Sequence, residues 1–147
     1  MADSKRQQII TALDTRLKAI KVSGGYQTNA GLHVFDWLDR DLADAELDAI
    51  VYRDTNNNII SEGFDYYENR MRVEIEAKAK SAATTAAQVR KIIKDIYKAI
   101  GTDETFGGLA HYSEPVSDAL DIQQADKIAG SATVIIEIIY VAQKWSY

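Results

Sequence analysis

The chain has 147 residues, 46% of them hydrophobic, with 17 Lys and Arg against 22 Asp and Glu for a formal net charge of −5, and it contains no cysteine. That length suits a single domain, residues 1–147, around one core. The missing cysteines exclude a disulfide scaffold and a thiolate metal site, and the acidic balance argues against a surface that coats nucleic acid, which needs clustered cations to displace counterions.

Met1 to Gln8 lacks the apolar core of a signal peptide, and no apolar run approaches the ~20 residues of a membrane span. A soluble protein made in a cytoplasm, with no membrane partner, is expected. Ser4 and Gln7 have capping-box spacing, and Ile9, Ile10, Leu13, Leu17 and Ile20 follow at helical intervals. The first element is therefore an amphipathic helix that ends by Ser23-Gly24-Gly25. Tyr26 to Asn29 and His33 to Leu38 read as short extended pieces around an Ala30-Gly31 turn.

Asp36, Asp39, Asp41, Asp44, Glu46 and Asp48 make the next stretch acidic, with Leu38, Leu42 and Leu47 threaded through it, a loop holding one helical turn. Ala49 to Arg53 reads as a strand and Asp54-Thr55-Asn56-Asn57-Asn58 as a turn, because Asn and Asp tolerate left-handed backbone. A long excursion through Gly63-Phe64-Asp65-Tyr66-Tyr67 follows. It is expected to be mobile in the free protein, with three aromatics that dock on a partner.

From Arg70 to Lys80 the pattern is strict. Met71, Val73, Ile75, Ala77 and Ala79 alternate with Arg70, Arg72, Glu74, Glu76, Lys78 and Lys80, one buried and one charged strand face. The mixed-sign face reads first as solvated or salt-bridged and second as a polar subunit contact. Ser81 to Thr85 can cap a second helix, whose stripe is Val89, Ile92, Ile93, Ile96, Tyr97 and Ile100 opposite Arg90, Lys91, Lys94, Asp95 and Lys98, with Gly101 as its stop. Thr102 to Leu109 returns the chain through Gly107-Gly108, Val116 to Gln124 reads as an irregular strand, Asp126 to Ser131 as a turn, and Ala132 to Gln143 as a long final strand.

That last strand has almost no wet side. Val134, Ile136, Ile138 and Tyr140 share one face, Ile135, Ile139 and Val141 dominate the other, and Glu137 is the one charge among them. A neighbouring subunit or one of the chain's own helices must cover the second side. The order of helix, strands, helix, strands suits an α+β fold: a two-layer sandwich of a mostly antiparallel sheet with two amphipathic helices.

Chemistry is sparse in the sequence. Asp54-x-Asn56-x-Asn58 with Asp65 has part of a calcium-loop spacing, but Ile59 stands where that loop needs Gly, so an Asn-rich turn is the better reading and no metal is expected. His33 and His111 form no metal-spaced pair. There is no Gly-x-Ser-x-Gly elbow, and Gly107-Gly108 lacks the Lys-Ser or Lys-Thr of a phosphate loop. No cofactor and no catalytic site are expected. Trp145 and Tyr147, just past the long strand, are either folded over the core or contact anchors, and Trp37 has the same two readings, core packing first.

Taken in order, Arg6-Gln-Gln-Ile-Ile with its helix, Val34-Phe-Asp-Trp, Arg72-Val-Glu-Ile-Glu-Ala, the helix ending near Ile100, Gly107-Gly-Leu-Ala and Ala132-Thr-Val-Ile-Ile-Glu-Ile-Ile-Tyr-Val resemble the tail terminator family of long-tailed bacteriophages, the lambda U-like minor tail proteins. The resemblance runs over nearly the whole chain. It implies a mixed α/β sheet fold in a virion tail, and a hexameric ring that ends tail-tube polymerisation. It also implies contacts with the tail tube protein and a head-completion protein, with DNA passing through unbound, and no catalysis. Phe64, Tyr66, Tyr67, Arg70, Arg72, Glu74, Ile135, Glu137, Ile139, Val141 and Trp145 are the candidate subunit and partner contacts. The alternatives are another phage connector, such as a head-completion or neck protein or a tube subunit, and a small soluble enzyme using the acidic loop and His33. The enzyme reading requires His33 and at least two of Asp36, Asp39 and Asp41 to converge.

Overall fold

A computed structural model describes residues 3–38, 40, 42–79, 85–124 and 128–146. The expectations for Asp39, Asp41, most of the Ser81–Thr85 cap, Asp126 and Tyr147 lie outside the described residues. Helix α1 spans Lys5–Lys18, and the Ser4 hydroxyl accepts a hydrogen bond from the Gln7 amide at 3.1 Å, as the capping spacing predicts. Its buried stripe is Ile9, Ile10, Leu13 and Leu17. The helix stops earlier than the double glycine because the chain turns at Ile20, whose carbonyl accepts from the Gly31 amide at 2.9 Å. A Cβ on Gly31 would lie 2.6 Å from the carbonyl oxygens of Leu17 and Ile20, so this close approach requires glycine.

Tyr26 to Asn29 is not a strand. Its backbone amides are drawn to a carboxylate on the second helix instead of to a ladder, and short 3-10 turns at Val22–Gly24 and Ala30–Leu32 flank it. Strand β1 is brief, Val34–Asp36, and a 3-10 turn at Asp44–Glu46 supplies the single turn expected in the acidic loop.

Strand β2 runs from Ala49 to Glu62 and β3 from Tyr66 to Ala79, paired antiparallel along their whole length. The Asp54–Asn58 segment is therefore strand and not turn. Its asparagines are accommodated by register shifts at Asp54/Asn56 and Ile59/Ser61, and Asn57 is tied to the Asn69 side chain at 3.0 Å. The expected mobile excursion is the far half of this hairpin, turning at Gly63, Phe64 and Asp65.

Helix α2 spans Thr85–Gly101, β4 Tyr112–Gln124 and β5 Ile128–Gln143. Strand β5 thus begins within the segment expected to turn. The sheet order is β1-β2-β3-β5-β4, antiparallel except for the β1–β2 pair. This is the α+β fold expected from element order, a mixed five-stranded sheet with two helices. Both helices pack on one face, over Met71, Val73, Ile75 and Ala77 of β3 and Ala132, Val134, Ile136, Ile138 and Tyr140 of β5.

Asp95 is a correction to the predicted wet face of α2. Only 1% of it is exposed, and its carboxylate accepts from the Gln27 and Thr28 amides at 3.0 and 2.8 Å and from the Thr28 hydroxyl at 2.7 Å. A buried carboxylate with that many donors pins the loop after α1 to the second helix. Arg16 makes a second clasp, donating to the carbonyls of Ala99, Ile100 and Asp103 at the end of α2.

Candidate assembly interface

Pairing of β3 with β5 sets Tyr66 opposite Gln143 and Tyr67 opposite Ala142. The turn of the β2–β3 hairpin and the chain just past β5 therefore meet at one end of the sheet. The Lys144 amide donates to the Asp65 carbonyl at 2.9 Å, its ammonium pairs with Glu62 at 2.9 Å, and the same ammonium lies 5.6 Å from the Tyr67 ring centroid. Around this junction Phe64 is 98% exposed and Trp145 95% exposed, with Tyr66 partly exposed beside them. Residues some 80 positions apart in sequence thus form one aromatic tip. Of the two readings for Trp145, folding over the core is ruled out by its exposure. For Trp37 the favoured core reading fails as well: it is half exposed, its indole N–H donating to Asp54 at 2.7 Å.

The sheet face turned away from the helices carries the remaining candidates. Along β5, Ile135, Glu137 and Val141 are half-buried, while Ile139 is only 1% exposed. Arg70 and Tyr112 stand directly across the two ladders from Ile139, so their side chains flank it in the same layer. Arg72 stands opposite Glu137 and Glu74 opposite Ile135. The charged rows interlock: Arg70 reaches Glu137 at 3.9 Å, Arg53 reaches Glu76 at 3.8 Å, and Lys78 reaches Glu76 at 3.5 Å. This is the salt-bridged strand face of the first reading. Among the described residues no helix covers it, and Ile139 belongs to the protomer's own packing instead of to an open apolar stripe.

Among the described residues Asp36 does not join His33, whereas Glu46, another acidic-loop carboxylate, lies beside it. The His33 Nδ1 lies 3.3 Å from the Asp48 carbonyl oxygen, and a hollow of about 420 Å³ beside the ring is lined by Lys18, Lys21, Phe35 and Glu46 but not by Asp36. Asp36 belongs to another grouping: partial burial, then the negative charges of Asp54 and Asp14, raise its pKa. Asp54 is itself clamped by Arg6 at 2.7 Å and by Trp37, and Asp65 is at the hairpin turn. Among the described residues no group of three or more His, Cys, Asp or Glu is placed to hold a metal ion. Nor is any described helix long and apolar enough to cross a membrane.

Sequence reasoning missed the loop that follows α2. The Asp103 carboxylate accepts from the Thr105 amide and hydroxyl at 2.9 and 2.6 Å and from the Gly107 amide at 2.8 Å. These bonds, the Thr105 hydroxyl foremost, lower its pKa to about 2. Phe106, Gly107 and Gly108 all have positive φ, and Arg16 lies 4.8 Å over the buried Phe106 ring. Asp-x-Thr before two glycines is the signal that carried it. The loop is a structural cap between α2 and β4, with its donors already occupied.

No protein-family model matches the chain, and no curated protein matches it.

Proposed function

We propose that this chain is a structural assembly protein of a phage tail, a terminator whose copies close into a ring on the finished tail tube, stop its growth and present a surface for head joining. The observation that carries this reading is the aromatic tip. Phe64 and Trp145 stand in solvent on a backbone tied together by the Lys144 bonds to Asp65 and Glu62, and so exposed an aromatic tip suits docking more than catalysis. A sheet face that no described helix covers is consistent with the same reading. The protein's net charge of −5 suits a bore through which DNA slides without sticking.

The experiment is a capping assay. Purified tail tube protein is polymerised with and without this chain, and tube length is read by electron microscopy. The expected result is that the wild-type protein sits as a ring on tube ends and shortens the length distribution, while Phe64→Ser with Trp145→Ser leaves folding intact and abolishes the effect. Equal tube lengths with and without the wild-type protein would sink the reading.

A further inference from the structure

The five-stranded sheet ends in two free edges that differ in chemistry. One is β4, whose outer side meets no strand among the described residues from Tyr112 to Gln124. The other is the far half of β2: β1 covers its outer side only from Ile50 to Tyr52, so Thr55 to Glu62 offers unpaired backbone groups. Most of the large apolar side chains that reach solvent cluster on these edges and the tip between them. Ile59, Ile60, Phe64, Tyr66 and Trp145 lie on or beside the hairpin, and Tyr112, Val116 and Leu120 on β4.

Charge decides which edges fit. Strand β4 carries Glu114, Asp118 and Asp121 and no cation, so pairing β4 with a second β4 sets acid against acid. From Thr55 to Ser61 the β2 edge has no charge at all, and the exposed Asn56 and Asn58 carry amides that can donate to carboxylates. Direction agrees as well. Strand β4 runs opposite to β5, β5 opposite to β3, and β3 opposite to β2, so β4 is antiparallel to β2. A second copy set beside the first with its strands in the same sense therefore presents its β2 edge antiparallel to β4, the more stable ladder.

We propose that copies of this chain join head to tail by pairing the β4 edge of one with the Thr55–Glu62 edge of the next, extending the sheet from copy to copy. Such a contact uses two different surfaces, so it closes into a ring when the rotation between copies allows and never stops at a two-fold dimer. The ring reading above fixes only the number of copies; the pairing rests on the edges.

The lack of native cysteine makes the test clean. Asn58 and Ala119 are exposed and lie on the helix-free face, Asn58 opposite Arg70 and Ala119 opposite Thr133. Asn58→Cys and Ala119→Cys proteins are prepared singly and together in one chain and treated with a short bis-maleimide. Neighbouring strands are about 5 Å apart and each residue adds about 3.3 Å along a strand, so Cys is placed in turn at Glu114, Ser117 and Asp121 as well as Ala119 to bracket the register. The expected result is a dimer from the mixture of single variants, none from either alone, and a ladder of multimers from the double variant. Leu32→Cys, exposed elsewhere, replaces Ala119→Cys as the collisional control and gives no ladder. A dimer from one single variant alone, or no product from any of the mixtures above that control, overturns the pairing. A ladder with no effect on tube length would keep the pairing and remove the terminator reading, and capping without a ladder would do the reverse.

Discussion

Single carboxylates govern how this small chain holds its loops, and they do so in two different ways. Asp95 is buried, with three donors aimed at it, so Asp95→Ala strands the buried amide and hydroxyl of Thr28 and frees the part-buried Gln27 amide. A loss of about 2–4 kcal/mol is expected in urea unfolding, with Asp95→Asn costing less because it keeps one acceptor oxygen. Asp103 works at the surface. Its pKa falls from 3.8 to about 2, so its stabilisation is full above pH 4 and is lost as the pH drops toward 2. An Asp103→Asn protein should therefore show a weaker acid dependence of stability across that window, read from unfolding midpoints at successive pH values, and the same midpoint dependence as wild type above it. Neither role was legible in the helical stripe. Periodicity places Asp95 beside Lys91, Lys94 and Lys98 on the wet face, and only a tertiary neighbour, the Gln27–Thr28 backbone, reverses that assignment.

At the scale of elements, the sequence reading held where the pattern is long and strict and failed where side-chain chemistry mimics a turn. Alternation from Arg70 to Lys80 and the stripe from Val89 to Ile100 led to β3 and α2 because one buried face selects one periodicity. Asp54 to Asn58 looks like a turn, since Asn and Asp favour turns locally, yet fourteen residues of β3 offer a ladder, and the misfit survives as two register shifts. The same principle of tertiary override sets the end of α1. At Gly31, where two carbonyl oxygens of α1 and its exit crowd the Cα, Gly31→Ala is expected to cost about 2–3 kcal/mol in thermal or urea unfolding, although Ala30 beside it shows that the segment accepts methyl groups in general. The sequence marks the aromatics at 64–67 and at 145 as candidates but does not relate them to each other, and only the β3–β5 register brings them to one tip.

For the whole molecule, the two sides of β5 are closed in different ways. Its helix-facing side is closed by α2 and the core, so its apolar content needs no partner. The opposite side is graded: Ile139 is buried between Arg70 and Tyr112, whereas Ile135 and Val141 stay half-buried at either end of the same row. Substituting Asp at these positions separates folding from assembly. Ile139→Asp places a charge in a site with an arginine neighbour but no room for water, and a loss of about 2–4 kcal/mol of stability should appear before any question of association. Val141→Asp sits where solvent already reaches, so its unfolding midpoint should stay near wild type while the mass by light scattering across a concentration series falls to that of a monomer. A Val141→Asp protein that associates as well as wild type would exclude the helix-free face from the contact, and the aromatic tip and the two sheet edges would then have to hold the proposed ring alone.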